Sequence, residues 1–389
     1  MDVPKLRREL LRWYQASRRD LPWRRTRDPW AILVSELMLQ QTQVKTALPY
    51  YVRFLERFPD AAALARAPEE QVLAAWAGLG YYRRARFLQA AARAVGAGGG
   101  FPQTLDGIRA LPGVGAYTAA AVGSIAFGLP EAVVDGNVVR VLSRLLALED
   151  DPTRGTGALR IRATAQELLD PRHPGDFNQA VMELGASLCS PAAPRCGDCP
   201  LSRHCAAFLA GRPADFPRLP ARPASRTLVK AVLLVLRGRG ARARILARAR
   251  GAEPAPAKGR PRGQAADRLQ GFWAFPEIEL DAEDWNLAAS KGLRLARKIA
   301  GAGVVPAGRL AKLRHRITVY DIHLLPLRFG AAAESAESGG SAAAAGWEWV
   351  TPTRLASLPL ASAEKKLLAL LQAGLGPDHG AGDQLGLKL

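Results

Sequence analysis

Cysteine is scarce in this chain, and its four copies fall within seventeen residues: Cys189, Cys196, Cys199 and Cys205. Disulfides spread along the chain are thereby excluded, and so dense a group of thiols argues for a metal. Acidic side chains are in deficit, with 35 Asp and Glu against 54 Lys and Arg, a formal net charge of +19. A field of that sign attracts polyanions, so nucleic acid is the leading partner. No apolar run reaches the roughly eighteen residues of a membrane span, and the N-terminus MDVPKLRRELLRWYQ lacks the apolar core of a signal peptide. The expected setting is the cytoplasm, in contact with nucleoid DNA as in bacteria, with no membrane partner. Strand periodicity is missing from the first half, which should be all-α.

The 389 residues suffice for two or three cores. Residues 5–15 place Leu6, Leu10 and Trp13 on one helix face. A Pro-broken loop, DLPWRR, follows. Asp28-Pro29 is a natural cap and first turn for the helix WAILVSELMLQQTQV. Further helices are expected over 45–57, 69–77, 83–95, 104–110, 116–127, 137–147, 156–169 and 177–188. The stretch 211–226 holds four prolines and reads as an extended linker. Beyond it the pattern changes to strands: Val229–Arg237 and Arg244–Arg250 around a GRGAR turn, then GRLAKLRH, ITVYDIHLLPL and WEWV, closed by a helix over 361–372. Loose connections are expected at 251–268 and 331–346, and a disordered tail at 374–389.

Residues 104–140 carry the densest chemistry. A helix end runs into Leu111-Pro112-Gly113-Val114-Gly115, a second helix starts at once, and Asp135 lies twenty residues past Gly115. Gly113 and Gly115 can take positive φ and admit another backbone closely. The unpaired N–H groups and positive dipole end of the next helix suit a phosphate. Asp135 precedes a helix start at Gly136-Asn137, a setting that favours the anion. Glu36 has the opposite setting, in an apolar helix beside Ile32, Leu33, Leu39 and Gln40, where burial would hold a proton near neutral pH. One acid kept neutral and one kept charged form the pair that glycosidic cleavage uses. The cysteine spacing C-x6-C-x2-C-x5-C can wrap a tetrahedral centre, and it leaves zinc and an iron–sulfur cluster both open.

The LPGVG hairpin followed by Asp135 resembles the helix-hairpin-helix/Gly-Pro-Asp signature of the DNA glycosylase superfamily. Within it, SELMLQQTQV and the cysteine spacing after FNQAVMELGASL resemble the MutY branch, the adenine DNA glycosylases. The resemblance implies a mainly α glycosylase domain over 1–210, with the hairpin at about 108–122 and a [4Fe–4S] loop at 189–205. It implies a linker over 211–226 and an α+β, Nudix-like recognition domain over 227–372, with 373–389 as tail. Glu36 would protonate adenine at N7, Asp135 would stabilise the sugar cation, and Tyr117 and Asn137 would support the pair. The four cysteines would hold one [4Fe–4S] cluster. Trp23, Arg24, Leu39 and Gln179 would line the adenine pocket. Gln41, Thr42, Tyr81, Gly113, Val114 and Gly115 would contact DNA. GFWAFP (271–276) is similar to a family segment, but no acidic Nudix box follows over 277–305, so nucleotide hydrolysis is not expected.

The family reads 8-oxoguanine through a Phe-Ser-His turn. Its counterpart here is taken as a turn at Leu313-Arg314-His315, a departure in which Arg314 would contact the lesion or its phosphate. The implied partner is double-stranded DNA holding A:8-oxoG or A:G mispairs, bound by a monomer. Bifunctional relatives such as endonuclease III carry a lysine at the Tyr117 position, and 104–140 holds no lysine. That absence argues against a pyrimidine-lesion glycosylase with lyase activity. The presence of both acids argues against a catalytically silent iron–sulfur DNA-binding protein.

Overall fold

The computed structural model describes residues 2–221, 224–238, 240–250, 271–317, 319–332, 344 and 346–373. The expectations for 251–268 and 374–389, and for most of 331–346, lie outside them. The chain divides into two compact units, Met1–Ala67 with Arg84–Arg222, and Pro68–Arg83 with Pro223–Leu389.

In chain order the helices are α1 (Val3–Ser17), α2 (Pro29–Leu39), α3 (Val44–Arg57), α4 (Ala61–Arg66), α5 (Glu69–Trp76), α6 (Arg83–Ala97), α7 (Leu105–Arg109), α8 (Ala116–Phe127), α9 (Gly136–Leu146), α10 (Gly155–Leu168), α11 (Pro174–Ser187) and α12 (Ala206–Leu209). All but α5 and the first residue of α6 belong to the first unit. Leu6, Leu10 and Tyr14 of α1, four residues apart, pack on Val138, Val141 and Leu145 of α9 and Phe177 and Leu184 of α11. The segment from Asp20 to Arg25, read as a loop, contains a short 3-10 turn at Pro22–Arg24. Asp28 caps α2 by accepting from the N–H groups of Trp30 and Ala31. Because α2 is apolar all round it is buried from Trp30 to Met38.

The expected continuation of α2 through Gln40–Gln43 does not occur. The buried Arg84 donates to the carbonyls of Leu37 (2.8 Å), Met38 (3.0 Å) and Gln40 and to Thr42 Oγ1 (3.2 Å). The last carbonyls of the helix thus find a guanidinium, and Gln41 turns left-handed at φ +55°. Helix α4 was not expected, and it is started by Asp60, which accepts from Ala63 N.

The second unit carries a mixed sheet: β1 (Arg226–Arg237), β2 (Arg244–Ala249), β3 (Trp273–Ala274), β4 (Glu277–Leu280), β5 (Val305–Arg309), β6 (Leu313–Ile317), β7 (Tyr320–Ala331) and β8 (Glu348–Val350). The order is β3-β2-β1-β7-β5, with β4 on β1, β6 on β7 and β8 on β2. Strands β1 and β7 run parallel from Arg226↔Tyr320 to Arg237↔Ala331. Alternation along β1 sends Leu233 and Val235 to one face, under α13 (Trp285–Ala300). Val232 and Leu234 go to the other, under α14 (Pro352–Ser357) and α15 (Ser362–Ala373). The close approach of α13 needs Gly292, where a Cβ would stand 2.9 Å from Leu233. GRLAKLRH, expected as one strand, is split between β5 and β6, and β3, β4, α13 and α14 were not expected. The GLGYY joint belongs to this unit: Tyr82 lies 3.9 Å from the Phe272 ring, and Lys365 Nζ donates to Ala77 O at 3.1 Å.

Candidate active site and cysteine loop

Glu36 sits mid-helix on α2 and is 6 % exposed. The Tyr117 hydroxyl, from the first turn of α8, donates to Glu36 Oε2 at 2.7 Å. Burial pushes the Glu36 carboxyl up to about 7, the Tyr117 hydrogen bond pulls it partly back, and the charge of Asp135 adds to the rise. Burial first, then the nearby acids, raises the Tyr117 hydroxyl well above its ordinary value, so it stays a neutral donor. Asp135, half-buried, caps α9. Its Oδ1 accepts from Val138 N at 2.7 Å and its Oδ2 from Asn137 Nδ2 at 2.9 Å. The fold therefore brings Glu36, Tyr117, Asp135 and Asn137 into one electrostatic neighbourhood, from three helices.

Arg140, one turn along α9, extends this neighbourhood. It donates to Asn137 Oδ1 (2.8 Å), Gly185 O (2.8 Å) and Cys189 O (2.7 Å). A chain of hydrogen bonds thus runs from Asp135 to the first cysteine.

Trp23 is buried, with its ring edge-on to Tyr51 at 5.2 Å. Arg24 donates to Glu183 Oε2 at 2.6 Å, and Arg19 Nε to Oε1 at 2.7 Å. Burial tends to raise the Glu183 carboxyl, but the two arginines outweigh it and the net shift is downward. Gln179 is buried and donates to Gly175 O at 3.3 Å, while Leu39 is half-buried at the end of α2. Sequence reasoning missed Glu183, Arg84 and Arg140. Glu183 carries the signal that marked Glu36, an acid in an apolar helix.

In the hairpin Gly113 is left-handed at φ +77°, and a Cβ there would lie 2.3 Å from Phe87 Cβ. Gly115 departs from expectation: at φ −90° it is the extended cap of α8, with open space where a Cβ would point and no side chain capping the helix. Val114 is turned into the core and its N–H is bound to Leu111 O at 3.1 Å, so its side chain is not presented to a ligand. Gln41 in the first unit and Tyr81 in the second are both exposed non-glycine residues with positive φ, +55° and +48°. Such strain costs about 1–3 kcal/mol and concentrates at functional sites. Thr42 is held by Arg84.

The four cysteines line one cavity together with Arg144, Leu188 and Phe208. Among the described residues they do not close into a site for a single ion. Burial pushes Cys199 up to about 12 and raises Cys196 and Cys205, so a bound cation is needed for them to be thiolates. Four thiols lining one cavity are a donor set for a four-thiolate metal centre.

The expected turn at Leu313-Arg314-His315 is not a turn. The three lie in β6, paired with Leu324, His323 and Ile322 of β7, because LRHRI alternates between the sheet faces. The reversal falls between Ile317 and Tyr320, whose side chains are exposed. Arg314 grips both oxygens of Asp321, and that contact holds the Asp321 carboxyl down at about 2. His315 is lowered by burial and then by Lys366.

A helical hairpin feeding a capped acid, opposite a buried carboxyl near neutrality, defines a base-excision glycosylase. Residues 34–171 match the model of the HhH-GPD superfamily base excision DNA repair proteins. The adenine DNA glycosylase of mouse is 35 % identical over an alignment covering 100 % of this chain and 81 % of that protein. The rat adenine DNA glycosylase is 48 % identical over 53 % of this chain and 42 % of its own length. A thermostable thymine-DNA glycosylase of known structure is 31 % identical at a TM-score of 0.49, over 54 % of this chain and 100 % of its own. The chain belongs to the adenine DNA glycosylase family. It is accordingly a DNA-binding hydrolase that cleaves N-glycosidic bonds.

Proposed function

We propose that this protein releases adenine mispaired with 8-oxoguanine or guanine from duplex DNA and leaves an intact strand with an abasic site. The observation that carries the reading is the Glu36 carboxyl, protonated up to about pH 7 and within the influence of Asp135. Glu36 gives its proton to N7 of a flipped-out adenine, and the electrons of the C1′–N9 bond leave with the base. Asp135, fixed by Val138 N and Asn137, stabilises the oxocarbenium sugar until water adds at C1′ and a proton returns to Glu36. Tyr117 orients Glu36 and offers no amine for a Schiff base. Flipping costs a few kcal/mol, and Gln41, exposed and left-handed just past the end of α2, is suited to fill the gap. The uncapped start of α8 is suited to a phosphate.

Cys189, Cys196, Cys199 and Cys205 would hold a [4Fe–4S] cluster in this reading, which would supply the loop with an anionic anchor. Ile317 and Tyr320, exposed side chains at the paired ends of β6 and β7 and next to Arg316, take over from Leu313–His315 as the part that probes the base opposite adenine. The test is base release from duplexes with A opposite 8-oxoG, G or T, with and without alkali. Release fastest opposite 8-oxoG, with strand breaks only after alkali, is expected. Strand nicking without alkali, or release of oxidised pyrimidines instead of adenine, would overturn it.

A further inference from the structure

Arg144 on α9 is 2 % exposed, and among the described residues no carboxylate pairs with it. A guanidinium buried without an acid costs several kcal/mol unless other groups take its charge. Its partners come from two separate stretches. Nη1 donates to Ser190 O (2.7 Å) and Cys189 Sγ (3.2 Å), and Nη2 donates to Pro191 O (3.1 Å), all in the cysteine loop. Nε donates to Phe216 O (3.0 Å), in the segment that leaves the first unit. The carbonyl of Arg144 accepts from Cys205 Sγ at 3.3 Å.

Phe216 is itself buried, with the guanidinium groups of Arg212 and Arg218 over its ring at 5.5 and 5.4 Å. Glu149 joins those two arginines, at 3.3 and 3.1 Å. Immediately beyond, Leu219 is 56 % exposed.

We propose that Arg144 is a positioning residue that couples the metal cluster of the cysteine loop to the segment 212–218, so that each holds the other in place. This rests on the cluster reading above. Four thiolates around a dipositive iron–sulfur core carry two negative charges, which is the compensation the buried guanidinium lacks. With the core gone, Arg144 loses that charge and its hold on Phe216 O weakens. By linkage, loosening the segment must weaken the cluster to the same degree.

The test uses the full-length, iron-loaded protein and two readouts. One is the loss of the brown cluster absorbance to an excess of ferrous chelator. The other is tryptic cutting at Arg218–Leu219, followed by mass, which reports how often the segment opens. Arg144→Lys keeps the charge but not the fork. It is expected to speed cutting about tenfold, the equivalent of one charged hydrogen bond, and iron loss about tenfold. Glu149→Ala, at the surface and outside the cysteine loop, loosens the segment from its other end and should raise both rates together. It also decides the matter if Arg144→Lys does not fold. Stripping iron from the unaltered protein should speed cutting at the same bond. Faster cutting with unchanged iron loss in either variant would overturn the coupling and leave the cluster standing. An unaltered protein without iron or acid-labile sulfide would overturn the cluster reading itself.

Discussion

Two buried glutamates in the helical unit have opposite fates. Glu36 on α2 is 6 % exposed and Glu183 on α11 is 1 % exposed. Both lie in apolar helices, and burial pushes both carboxyls up. Glu36 meets one neutral hydroxyl and a second acid, and ends at about 7. Glu183 meets Arg19 and Arg24, and ends below its ordinary value. Burial alone therefore does not make a proton donor; the absence of a committed cation does. Arg24 is near enough to lower Glu36 slightly, yet its guanidinium is already engaged by Glu183. The ion pair thus keeps the same arginine from holding the active-site acid ionised.

Substitutions can break this comparison, and the largest effect falls on turnover. Glu36→Gln should cut base release by about a thousandfold, the scale of general acid catalysis, with affinity for a mispaired duplex retained. Single-turnover release beside a binding titration checks this. Asp135→Asn should cost about a hundredfold in the same assay while unfolding near the parent temperature, because Asn caps a helix nearly as well.

Stability should separate the two glutamates by sign. Glu183→Gln leaves two arginines short of a charge and should destabilise by about 3 kcal/mol at pH 7, measured by denaturant unfolding. That loss should shrink in acid, since a depressed carboxyl contributes stability above its unfolded pKa and loses it as pH falls. Glu36 runs the other way. Its raised carboxyl favours folding at low pH, and that contribution is lost as pH rises through about 7. Glu36→Gln should therefore be more stable than the parent at pH 8, and equal stabilities there would contradict the burial argument. The smallest effect is expected from Tyr117→Phe. Removing a hydrogen bond that lowers Glu36 should move the alkaline limb of the single-turnover profile upward by less than about one pH unit.

Much of this site is legible in the chain because its signals are local. The lone acid in WAILVSELML and the capping acid in VVDGNVV each show their environment within a few residues. Residues fixed by distant partners are not legible in that way. Helix α2 ends where it does because Arg84, more than forty positions later, takes its carbonyls. Gly115 looks like a second flexible glycine, yet of the two only Gly113 is left-handed and only Gly113 lies against the Phe87 ring. In the sheet unit, LRHRI alternates and pairs as β6, so period two and not the likeness to a Phe-Ser-His turn decides the local structure. Helix α13 is amphipathic, a pattern that does not depend on an acidic box.

Pro68–Arg83 joins the sheet unit although it lies inside the sequence of the helical one. Tyr82 rests on Phe272 and donates to Leu360 O at 3.4 Å, and Ala77 O accepts from Lys365. The two units are therefore interleaved in sequence. A truncation at the proline-rich stretch would leave α5 and Tyr82 without their support. A graft from a relative would have to bring along its own version of this short insert.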